Sequence, residues 1–70
     1  MNNIYWVARD EDNYLWLFRD KPAVTNNGWW VSEGDVWEME EDRYLNVGRG
    51  EKEKVELTLE ERDQIVWGKA

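Results

Sequence analysis

The sequence predicts a mainly β domain of the α+β kind: a small antiparallel sheet of five or six strands, curled or closed as an SH3-like barrel, with a short C-terminal helix. Three observations carry this. Short segments rich in Trp, Tyr, Val and Leu alternate with a period of two and are separated by turn-forming clusters. The C-terminal residues switch to helical spacing behind a capping signal. Six Trp, three Tyr and one Phe are also far too many aromatics for a disordered chain, even with 36% charged residues.

The elements follow in order along one domain, 1–70. Ile4, Trp6 and Ala8 alternate with Tyr5, Val7 and Arg9, which predicts a strand. The polar cluster Asp10-Glu11-Asp12-Asn13 interrupts it, and Tyr14 to Arg19 resumes the same character, so the pair reads as a hairpin with a four-residue loop. Asp20 to Gly28 holds the only proline and an Asn-Asn-Gly turn signal, and reads as a connecting loop. Gly28 to Ser32 and Asp35 to Glu40 flank Glu33-Gly34, predicting a second hairpin in which Gly34 supplies a positive φ. Arg43 to Val47 reads as a short strand, and Val55, Leu57 and Leu59 alternate against Lys54, Glu56 and Thr58 as its partner. Thr58 and Glu61 have the spacing of a capping box, and Leu59, Arg62, Ile65 and Val66 form one helical stripe before Gly68.

The aromatic pattern constrains the surface. Neighbouring strand residues point to opposite faces, so Trp29 and Trp30 cannot enter the same core and one of them faces away. Tyr14, Trp16 and Phe18 line one face of the first hairpin while Leu15 and Leu17 line the other, which makes both faces apolar. Curling into a barrel, covering by the C-terminal helix, or docking of another molecule would each protect the second face.

Composition excludes several functions. With no Cys and no His, disulfides, thiolate or imidazole catalysis and ordinary zinc sites are ruled out, and no catalytic residue, metal or cofactor is expected. Asp10-Glu11-Asp12 opens like a calcium loop, but Tyr14, Leu15 and Lys21 occupy positions that need a ligand, a glycine and the closing glutamate. A net charge of -7 argues against direct binding to nucleic acid or to an anionic membrane. No apolar run approaches the roughly 20 residues of a membrane span, and the first residues lack a signal-peptide pattern, so a cytoplasmic protein is expected.

From Tyr5-Trp6-Val7-Ala8-Arg9-Asp10 through Leu15-Trp16-Leu17-Phe18 to Lys21-Pro22, the chain resembles a group of short uncharacterised proteins encoded by bacteriophages and prophages of gut bacteria. The resemblance covers roughly the first third and carries no functional residues with it. It implies a viral origin and action inside the host cell against a defence protein. The expected function is therefore non-enzymatic binding that blocks a host protein, one with a basic groove. Trp16, Trp29, Trp30 and Trp37 are the candidate anchors, with Glu38, Glu40, Glu41 and Asp42 as an acidic rim. The alternative is a homo-oligomer that sequesters a nucleotide-like signalling molecule by indole stacking, with Arg9, Arg19, Arg43 and Arg49 on its phosphates.

Overall fold

In the computed structural model, which describes residues 3–40 and 42–69, the alternating segment at the N-terminus becomes the strand on which the rest is assembled. The elements are β1 (Asn3–Arg9), β2 (Leu15–Phe18), β3 (Ala23–Val24), β4 (Trp30–Val31), β5 (Val36–Met39), β6 (Lys52–Leu57), α1 (Leu59–Ile65) and β7 (Val66–Lys69). Five strands form one antiparallel sheet in the order β6-β1-β2-β5-β7, and β3 and β4 form a separate two-stranded ribbon. The fold is mainly β with one short C-terminal helix, as the sequence predicts.

The first hairpin forms, with Trp6 opposite Phe18 and Arg9 opposite Leu15. Its loop is closed by Asp10 N–H donating to the Tyr14 carbonyl at 2.9 Å, and Asn13 takes a left-handed φ of 77° after a β-turn from Asp10. Asn tolerates that conformation because its short polar side chain lowers the local cost.

Alternation in this pair creates two different faces. On the inner face Tyr5, Val7, Leu15, Leu17, Trp37, Met39 and Leu57 form the main core, joined by Val47 from a loop. The Tyr5 and Trp37 rings lean across β2 to meet edge to face with centroids 6.0 Å apart. On the outer face Ala8, Phe18 and Trp30 are buried, with Trp6, Trp16 and Val36 packed around them. The apolarity of both hairpin faces is thus answered by two separate covers.

Helix α1 covers the inner face. The capping box is formed: Glu61 N–H donates to Thr58 Oγ1 at 3.1 Å, and Thr58 N–H donates to Glu61 Oε1 at 2.9 Å. The helix connects β6 and β7, which are opposite edges of the sheet. Seven helical residues span about 10 Å, so the link between these edges, which would lie about 19 Å apart in a flat five-stranded sheet, is short and suits a curled one. Ile65 packs on the core and the Arg62 guanidinium sits 4.9 Å from the Trp37 ring.

Three sequence expectations are corrected. The second hairpin does not form: Trp30 pairs with Val24 and Val31 with Ala23, while β5 pairs with β2. The Thr25 and Trp29 backbones close a tight turn instead, helped by Gly28 at φ 85°, so the stretch read as a loop contains a strand. Among the described residues the glycines with positive φ are Gly28 and Gly50, and Gly34 is not one of them; a side chain there would collide with the Asp20 carboxylate. Arg43 to Val47 is a chain of turns, and β6 pairs with β1. Finally, the chain leaves the helix at Ile65 and forms β7 against β5, with a bulge at Glu38/Met39.

The reason for the second correction is Arg9. Its side chain is 3% exposed and lies under the 43–50 loop. Nε donates to the Val47 carbonyl at 2.6 Å, Nη1 to Asn13 at 3.1 Å, and Nη2 to Arg43 and Tyr44 at 3.0 and 3.2 Å. Carbonyls that converge on one guanidinium cannot also face a neighbouring strand. Tyr44 is held at φ 50° by this clamp and by the Val47 N–H bonded to its carbonyl at 2.8 Å. No described helix is long and apolar enough to cross a membrane.

Candidate functional site

The outer face is where the sheet remains open. Its apolar stripe comes from β1, β2 and β5, and the main cover is the β3–β4 ribbon, anchored through Trp30. That residue is 9% exposed. Its indole N–H donates to the Arg9 carbonyl at 3.0 Å, and its backbone N–H donates to Asp10 Oδ1 at 2.9 Å. One side chain therefore ties the ribbon to the end of β1 by two hydrogen bonds and a buried ring.

Strand alternation turns Trp29 the other way, and it is 46% exposed beside Val31 at 50%. The prediction that one of the adjacent tryptophans faces solvent holds, and Trp29 is the one. Between the ribbon and the sheet runs an open groove of about 470 Å³, walled by Trp16, Phe18, Trp30 and Val36, with Asp10 at its floor.

Asp10 is a buried carboxylate. Burial pushes its pKa above the ordinary 3.8, the Trp30 backbone N–H pulls the other way, and the Asp12 charge raises it further. The buried indole N–H of Trp16 lacks a hydrogen bond of full geometry; it nevertheless helps to hold down the pKa of Asp10, its polar neighbour. Burial likewise raises the Tyr44 hydroxyl.

The candidate anchors do not form one patch. Trp16 and Trp30 meet at the groove and Trp29 stands on the ribbon beside it, but Trp37 is in the opposite, inner core at 8% exposure. Trp37 faces inward because its β5 position shares a face with Leu17 across the ladder. Trp30 is buried too, so it serves as a wall and anchor and not as a projecting contact.

Of the acidic rim, Glu38 lies directly across from Trp16 on the outer face, half-buried. Glu40 is 3.7 Å from Arg43 as an ion pair, Asp42 is exposed in the following turn, and Glu41 lies outside the described residues.

The arginines also separate. Arg9 is consumed by the loop clamp, Arg43 faces Glu40, and Arg49 is exposed next to β1. Arg19 lies in a different cleft at the far end of the sheet, with Arg62 and Tyr5.

Two contributors escape the sequence reading. Asp10 reads as a solvated hairpin acid, although its position directly after a buried strand residue is the only signal that it turns inward. Trp67, 64% exposed on the edge strand β7, is hidden in a segment with helical spacing. Compared with known protein families, curated proteins and solved structures, the chain gives no match, so its functional reading rests on this geometry.

Proposed function

We propose that this chain is a small non-enzymatic binding protein, of bacteriophage type, that occupies a host protein and blocks it. The observation that carries the reading is the ribbon: Trp30 is its main tie to the sheet, and Trp29 and Val31 are left half-exposed on it. Trp is enriched among residues that dominate binding energies. The net charge of -7 fits a partner with a basic docking face.

The nucleotide-trap reading is less well supported, because it needs a convergent arginine cluster. Arg9 instead binds the chain's own carbonyls, and Arg19 is in another cleft.

The test is capture of a host protein by native-mass measurement after passage through bacterial lysate, with the wild type and Trp29→Ala in parallel. A defined protein complex lost in Trp29→Ala, with its cooperative melting unchanged, is the expected result. Equal loss of folding, or an oligomer carrying only a small-molecule adduct, would contradict it.

A further inference from the structure

Three of the six tryptophan rings in this molecule are matched with cations. Lys21 Nζ is 5.5 Å from the Trp6 ring, Lys52 Nζ is 5.2 Å from the Trp30 ring, and the Arg62 guanidinium is 4.9 Å from the Trp37 ring. These distances are those of cation–π attraction. Trp16, Trp29 and Trp67 have no cation over their rings among the described residues, and of these Trp16 walls the open groove.

The surrounding charges fit the missing cation. Glu38 is directly across the ladder from Trp16, where cross-strand side chains lie about 5 Å apart at their Cβ atoms. It has no ion-pair or hydrogen-bond partner among the described residues, and its neighbour on the β7 side is Gly68, which has no side chain to cover it. Asp10 adds a second carboxylate at the groove floor. Two indoles and a buried aspartate line the groove, and a glutamate without an ion-pair partner among the described residues stands across the ladder from one of those indoles, a setting for a positive charge with a flat apolar face.

We propose that this groove receives an arginine side chain of the partner protein, stacked on Trp16 between the ribbon and the sheet and neutralised by Glu38. The inference rests on the docking reading above and adds to it the chemistry of the contact. Arginine suits the site better than lysine because its planar, weakly hydrated guanidinium stacks on indole while its edge donates to carboxylates. The existing lysine contacts, on Trp6 and Trp30, are supplied by the chain itself, whereas Trp16 walls the groove with no cation over it among the described residues.

The experiment titrates the intact protein with N-acetyl-arginine methylamide and, at matched ionic strength, with the neutral citrulline analogue. It follows the indole N–H signals, assigned with single Trp→Phe variants. The expected result is a saturable shift of the Trp16 signal with the arginine probe and little with citrulline, with Trp37 unmoved. In Glu38→Gln the affinity should fall by threefold or more. No saturable shift at Trp16, an equal response to citrulline, or an unchanged affinity in Glu38→Gln would overturn the arginine site. If that happens while Trp29→Ala still loses a captured host protein, the docking reading stands and only this contact is wrong. If Glu38→Gln changes the melting temperature, Glu38→Asp, which keeps the charge, should restore both stability and binding; failure to restore binding in a folded Glu38→Asp also counts against the site.

Discussion

The two faces of one sheet are closed in different ways. The inner face has a helix, a loop clamped by a buried arginine, and an aromatic pair reaching across a strand. The outer face has a two-stranded ribbon fixed chiefly by one tryptophan, with a groove beside it. Both faces begin with the same alternation in β1 and β2, so local sequence character does not distinguish them. What differs is the cover: the inner one is tied to the sheet at many points, and the outer one at few. A domain of 70 residues has little apolar area to spare, and the ribbon nevertheless leaves Trp29 and Val31 outside the core.

The contrast can be broken first at Arg9. Arg9→Ala leaves the carbonyls of Val47, Tyr44 and Arg43 without their donor and should cost about 3–5 kcal/mol, most of the stability expected for a domain this small. Urea denaturation checks this; a loss below about 1 kcal/mol would mean that the loop does not need its clamp. Trp30→Ala should cost about 3 kcal/mol and release the ribbon while β1 and β2 remain paired, which amide chemical shifts would report.

Smaller changes sharpen the comparison. Gly28→Ala combines a φ of 85° with a Cβ that would come within 2.6 Å of Glu11 Cγ, and should cost about 1–2 kcal/mol through the ribbon turn alone. Asp10 predicts a pH effect. Its folded-state pKa is raised above the ordinary 3.8, so the folded state binds the proton more tightly, and the Asp10 contribution to stability falls as pH rises through that window. Asp10→Asn keeps an acceptor for the Trp30 N–H and removes the charge. It should flatten the stability profile between mild acid and neutrality and raise stability at pH 7 by up to about 1 kcal/mol. Parallel urea titrations across pH check the difference, and an unchanged slope would contradict the assignment. Smallest of all, Trp29→Ala should alter stability by less than about 0.5 kcal/mol, since the ring supports no core.

The fold was legible where the signal is local. Alternation in β1 and β2 marks both faces, Asp10 to Asn13 marks the turn, and Thr58 with Glu61 marks the helix start. Long-range choices were not legible. Nothing near Arg9 reveals that it will gather carbonyls from more than thirty residues away, which is what converts Arg43 to Val47 from an apparent strand into turns. Nor does Trp30 show whether it will pair with Val24 or across Gly34, because either turn is chemically acceptable; the buried ring and the Asp10 acceptor decide it. The site was legible to the same degree. The opposition of Trp29 and Trp30 follows from strand geometry, but the placement of Trp37 on the inner face and of Glu38 beside Trp16 depends on the β2–β5 register.

Native-state hydrogen exchange tests the difference between the faces most directly. The amides of Val7, Leu15 and Leu17 should exchange only through global unfolding, whereas those of Thr25, Gly28 and Trp30 should exchange through a local opening of distinctly lower free energy. Equal protection of the ribbon and the central strands would contradict the account, because the outer cover would then be as firmly part of the core as the inner one.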